Sequence, residues 1–253
     1  MLKIILIVIV IIILVVVGLV FAASRMFSRT VETSNTPVAI ANGKNLIKNS
    51  KVVIAVGAHP DDLEYYTGGT LGTLALEGKT VVGVLGTDLS FNQSIRRKEA
   101  TKASKILGYV PVFLGHPERD YQSGLTEKDK KEMRIEIVAL IKKYHADTVV
   151  AYDSNDQAPI YHHVDHIATG IAAQAAAKDT GIKNVYLYSS GHPNTRVDTA
   201  SATAKKGLAV AAHVSQQDRR WIKLASFLFG WLRPAETKNG EHFFGNFESF
   251  RKI

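Results

Sequence analysis

The chain has no cysteine among its 253 residues. That excludes a disulfide framework, a thiolate zinc site and a cysteine nucleophile, so any bound metal must be held by His and carboxylate. Also missing are a Walker A motif, a G-x-S-x-G nucleophile elbow and a G-x-G-x-x-G fingerprint. The nearest approach, Gly68-Gly69-Thr70-Leu71-Gly72, lacks the dinucleotide spacing. It reads as a tight turn opening a helix that packs close to a sheet. Tryptophan is rare, and both copies fall in residues 221–232. That aromatic stretch reads as a terminal helix packed on the domain or, alternatively, as an interfacial helix. Acidic residues are scarce at the N-terminus: Lys3, Arg25, Arg29, Lys44 and Lys48 face Glu32 alone, leaving +4 of the chain's +8 in the first 50 residues. A basic excess placed there points away from nucleic acid and toward anionic lipid headgroups.

Residues 4–23 carry no charge and are dominated by Ile, Val and Leu. As a helix they would reach about 30 Å, the thickness of a bilayer's hydrocarbon core. The expectation is an N-terminal transmembrane anchor over residues 1–23 and a single-pass protein of the cell membrane. A cleaved signal peptide competes, but the run exceeds the usual apolar core of one. Sidedness stays open, because Arg25 and Arg29 argue for one side and the short basic N-terminus for the other. Residues 24–50 read as a linker, and residues 51–253 as the catalytic domain.

Short continuous apolar runs at 51–57, 80–85, 110–114, 148–152 and 184–188 read as strands buried on both faces. Helical patterns separate them, at about 69–77, 94–107, 126–144 and 165–178. Gly108 follows the second, and a capping box starting at Thr126 opens the third. This alternation predicts an α/β fold, a Rossmann-like, doubly wound and mostly parallel sheet. Ligands of such sheets sit beyond the carboxyl ends of the strands.

Two constellations fall at such ends. His59-Pro60-Asp61-Asp62-Leu63-Glu64 follows the first strand, and its adjacent carboxylates repel unless a cation neutralises them. Tyr161-His162-His163-Val164-Asp165-His166 follows the fourth, with His163 and His166 spaced for one face of a helix's first turn. Each alone has a bland reading, as a turn or a helix cap. Their shared sheet edge lets them converge on one metal ion.

These residues resemble the PIG-L/LmbE-like zinc de-N-acetylases. Ala58 through Glu64 with Thr67-Gly-Gly-Thr-Leu71 is similar to that family's opening motif, and His163-Val-Asp-His166 to its second. Arg96, Glu99, Leu107-Gly108, Pro193-Asn194, Val197-Asp198, Lys205, Lys206 and His213-Val-Ser-Gln216 are further echoes, in order, across residues 51–217. Leu63 and Val164 depart from the usual pattern without removing a ligand. The resemblance implies that His59, Asp62 and His166 hold Zn2+, with Fe2+ or another divalent ion fitting the same ligands. It implies that Asp61 is the general base, and that a protonated His163, oriented by Asp165, stabilises the oxyanion. The implied substrate is an N-acetylglucosamine-type amino-sugar conjugate, possibly lipid-linked, with Arg96, Asp120 and His213 as candidate sugar contacts. His116, His145, His192 and His242 read as surface or structural. A zinc amidase or esterase on another acylated molecule, or a sugar-binding module without turnover, are the rival readings.

Overall fold

The structure, a computed structural model, describes residues 14–19, 34–88, 90, 92–119, 125–157, 163–217 and 246–253. Five parallel strands form its centre: β1 (Val52–Gly57), β2 (Thr80–Leu85), β3 (Val110–Phe113), β4 (Thr148–Tyr152) and β5 (Asn184–Tyr188). Two further strands, β6 (Thr195–Asp198) and β7 (Phe247–Lys252), complete a seven-stranded sheet in the order β3-β2-β1-β4-β5-β7-β6. β7 runs antiparallel to both neighbours, so the sheet is mostly parallel.

Side chains alternate across the sheet with period two. Val53 and Ala55 of β1 face one core with Leu63, Leu71, Leu107 and Ala209; Ile54 and Val56 face the other with Met133, Ile137 and Ala173. The first core is covered by α2 (Asp62–Leu76), α3 (Gln93–Leu107) and α6 (Thr203–Ala211). The second is covered by α4 (Glu127–Tyr144) and α5 (Val164–Asp179). A four-residue helix, α7 (Val214–Gln217), follows α6. The chain steps outward from β1 to β3, then returns to place β4 on the other side of β1. The crevice between the ends of β1 and β4 is thus the topological switch point of the sheet.

Several sequence expectations change. Among the described residues no helix is long and apolar enough to cross a membrane. Of the apolar run, residues 14–19 are described; they are helical, with exposed Leu and Val side chains. The transmembrane helix, the single-pass membrane location and the membrane partner are therefore corrected. Within the expected linker, α1 (Pro37–Asn49) forms a docked helix. Thr36 caps it by accepting from the Ala39 N–H at 3.1 Å. It packs so closely on β6 that a Cβ on Gly43 would lie 1.8 Å from the Arg196 carbonyl oxygen. α2 begins at Asp62, seven residues before the expected 69, so the glycine run lies inside the helix. Those glycines serve close packing: a Cβ on Gly69 would meet Thr199 at 2.7 Å, and one on Gly72 would meet Ala202 at 2.9 Å. The aromatic stretch 221–232 lies outside the described residues.

The helix caps follow their signals. Thr126 and Asp129 form the reciprocal capping box of α4. Gly108 ends α3 with φ 88°, a left-handed conformation that glycine adopts without a Cβ penalty. Gly108→Ala is expected to cost about 1 kcal/mol or more, lowering the melting temperature by roughly 2–4 °C in a calorimetric scan.

Candidate metal centre

His59 sits in the turn leaving β1, and Asp62 opens α2 directly after it. The turn is pinned by Asp62, whose Oδ2 accepts from the main-chain N–H of Ala58 at 2.9 Å and of His59 at 2.8 Å. Between them Asp61 has φ 143° and ψ −23°. A non-glycine residue held there is strained, and such strain concentrates at functional positions. His163 is the N-cap of α5, and His166 follows in its first turn. All of these side chains except that of Asp61 are buried, and Asp61 is only 17 % exposed.

Three ligand-type side chains converge. His59 Nδ1 lies 3.1 Å from His166 Nε2, His166 Nε2 lies 3.1 Å from Asp62 Oδ1, and His59 Nδ1 lies 3.6 Å from Asp62 Oδ2. A tetrahedral ion with bonds of about 2.0–2.2 Å separates its ligand atoms by roughly 3.3–3.6 Å. The observed separations lie within that range or just below it, so a small divalent cation fits with a slight spreading of the side chains. His163 also offers a nitrogen within 4.8 Å of those of His59 and His166.

A second layer of contacts orients these groups. His59 Nε2, the nitrogen turned away from the triangle, lies 3.4 Å from Asp165 Oδ2 and 4.0 Å from Glu118 Oε1. A carboxylate behind an imidazole fixes its tautomer and raises its basicity. Asp165 Oδ2 also accepts from the Arg119 N–H at 2.8 Å. From the sequence Asp165 is expected to orient His163; its carboxylate lies on His59, and its main-chain N–H meets His163 Nδ1 at 3.3 Å. The reason is the cap itself, because an N-cap side chain must accept from the first turn of its helix. Tyr66 and Tyr152 set their rings against His166, and Tyr66 stacks on Tyr188.

The two neighbouring carboxyls are pushed apart. Burial alone would raise Asp62, but His166 and His59 outweigh it and hold the group well below the usual carboxylate range. Burial, reinforced by the Asp62 charge, pushes Asp61 up to about 7, against the pull of Arg96, His213 and His59. A carboxyl poised there suits proton transfer near neutral pH.

The expected sugar contacts fare unevenly. Arg96 is buried and faces the site, with Nη2 3.5 Å from Asp61 Oδ1 and Nη1 2.7 Å from Glu118 Oε2. Asp120 lies outside the described residues. His213 is fully buried, with Nε2 3.3 Å from Glu64 Oε2. Sequence reasoning missed three participants. Glu64 is fully buried beneath Asp61 and also accepts from the Tyr109 hydroxyl. Glu118 braces Arg96. Tyr109 had no signal, but Glu64, one turn into α2 from the paired Asp residues, stood in the motif itself.

A family model described as "PIG-L: GlcNAc-PI de-N-acetylase" matches residues 54–177, a stretch that contains both loops of the centre. A diacetylchitobiose deacetylase of Thermococcus kodakarensis is 29% identical over 197 residues, covering 66% of this chain and 70% of its own. The solved N,N'-diacetylchitobiose deacetylase of Pyrococcus horikoshii, complexed with its inhibitor MPG, superposes with a TM-score of 0.62 at 27% identity, covering 89% of this chain and 92% of that one. A deacetylase in the biosynthesis pathway of teicoplanin, at 17% identity and a TM-score of 0.57, covers 71% of this chain and 89% of its own and shares the fold.

Proposed function

We propose that this chain, which belongs to the PIG-L family, hydrolyses the N-acetyl group of an N-acetylglucosamine-type amino sugar, with a divalent cation, Zn2+ first, held by His59, Asp62 and His166. The observation that carries the reading is the triangle of two imidazole nitrogens and the Asp62 carboxylate at the switch point, with a carboxyl of raised pKa beside it. When bound, such an ion supplies Lewis acidity and makes a water it holds far more acidic.

Asp61 takes the proton of the attacking water at its carboxylate and returns it to the departing amine, so that water and amide become acetate and free amino sugar. Arg96 holds Asp61 Oδ1 and accounts for the orientation of the base. His163 polarises the acetyl carbonyl. Its Nδ1 accepts from the Asp165 N–H, which leaves the proton of the neutral ring on Nε2. Asp165 acts through His59, as a positioning residue.

The test is acetate release from N-acetylglucosamine and N,N'-diacetylchitobiose together with metal analysis of the purified chain. His166→Ala is expected to lose the bound cation, while His163→Ala keeps it and loses activity. Loss of the metal in His163→Ala would replace the Asp62 set by the three-imidazole set, and full metal occupancy in His166→Ala would overturn both. No acetate release from any N-acetylated amino sugar by the metal-loaded protein would end the deacetylase reading.

A further inference from the structure

We infer that a second divalent-cation site lies outside this centre, formed by His116 from the segment after β3 and by Asp129 and Glu132 of α4, with Glu136 paired to the His116 ring. It shares no residue with the triangle of His59, Asp62 and His166. Sequence reasoning placed His116 among surface or structural histidines, but it is only 8 % exposed. Its Nε2 lies 2.7 Å from Glu136 Oε2. His116, Asp129 and Glu132 each present a ligand atom, and these atoms lie within 4.8 Å of one another. The three acids stand at i, i+3 and i+7 along α4, the spacing that lines one face of a helix.

Charge balance supports a cation there. Three carboxylates surround one imidazole, and the countercharges stand off: Arg119 Nε is 3.8 Å from Asp129 and Lys128 Nζ is 3.8 Å from Glu132. Both cationic side chains are exposed, at 42 % and 81 %. Surface pairs of that kind contribute little, so a divalent ion displaces them readily. Hydrogen bonds from Thr126, first its hydroxyl, hold the Asp129 carboxyl below its ordinary range and keep it available as an anion. One imidazole with several carboxylates selects a borderline ion such as Zn2+ over Mg2+ or Ca2+, which prefer oxygen alone.

The site reaches the catalytic edge through the chain. The segment that carries His116 continues into Glu118, which braces Arg96, and Arg119, whose N–H meets Asp165. A cation tying His116 to α4 stiffens that segment.

Equilibrium dialysis of the full chain against Zn2+ alone, followed by metal analysis, tests this. The wild type is expected to hold a zinc equivalent that His116→Gln and Glu132→Gln each remove or weaken at least tenfold, and that His166→Ala leaves in place. Glu132 is half exposed, so Glu132→Gln reports even if His116→Gln folds poorly. Zinc binding by both variants as tight and as abundant as in the wild type would overturn the site. So would the absence of any equivalent surviving His166→Ala. A His166→Ala protein that kept every equivalent, with one still lost in Glu132→Gln, would count against the triangle and support the second site.

Discussion

Asp61→Asn is expected to release acetate at least about a hundredfold more slowly than the wild type, the range set by loss of a general base. Its metal content should be unchanged, since Asp61 stands beside the triangle and not in it. The same variant should stabilise the metal-free protein. The folded Asp61 carboxyl titrates near 7, raised from an unfolded value of 3.8. Between those values the native state holds a proton that the unfolded chain has released. Stability from this group is therefore present below about pH 4 and is lost as pH rises through 7. Asparagine carries no charge to desolvate beside Asp62. In the presence of a chelator at pH 8, Asp61→Asn should melt above the wild type by roughly 5 °C or more, a gap that closes toward pH 4. Equal melting temperatures at both pH values would show that Asp61 is not held in a charge-averse position. Activity retained by the variant would remove it from the mechanism.

Glu248→Ala should be the most destabilising single change of those considered. Glu248 reaches from β7 into the side of α2, where its oxygens accept from the main-chain N–H groups of Gly69 and Thr70, each at 2.8 Å. Its Oε1 also lies 2.7 Å from Lys206 Nζ, and both side chains are only 7 % exposed. Truncation strips the carboxylate from a buried ammonium and from two N–H groups. Breaking such a pair costs about 3–5 kcal/mol, so the melting temperature should fall by roughly 10 °C. Lys206→Met in the Glu248→Gln background should recover part of the loss, because a buried pair replaced on both sides leaves no lone charge. A melting temperature within a degree or two of the wild type would show that the contact is incidental. The absence of a Gly69 Cβ is what lets this carboxylate approach: a methyl there would sit 3.0 Å from Oε1.

The parts of the molecule that sequence reasoning reached share a physical cause. β1, β2, β4 and β5 are covered on both faces, so each is a bare apolar run that stands out from its surroundings, while β3, at the sheet edge, is only half-buried. β6 and β7 read Thr-Arg-Val-Asp and Phe-Glu-Ser-Phe-Arg-Lys; half-buried and antiparallel, they carry charges that hide the strand. α1 had its signals in Thr36 and Pro37, a cap and a first-turn proline, but its apolar face is narrow. The start of α2 was hidden because Asp61 makes no side-chain capping bond. His59, Asp62 and His166 were legible as candidates because the strand runs locate the sheet edge and the motifs sit on it. Glu118 acts only through residues distant in sequence, a relation that a linear reading does not contain. The apolar N-terminal run misled for the opposite reason: hydropathy is a local property, and the described structure contains no helix long enough to realise the span it suggests.

The placement of β7 has a further consequence. β6 is hydrogen-bonded into the sheet only through β7, and α1 rests on β6. Three pieces drawn from residues 37–49, 195–198 and 247–252 therefore share one margin of the sheet beside β5, where Glu248 ties β7 to α2, Arg251 ties it to Asp153, and Leu46 of α1 enters the first core. A disturbance of β7 would therefore reach the outer strand, α1 and the helix that opens with Asp62 together.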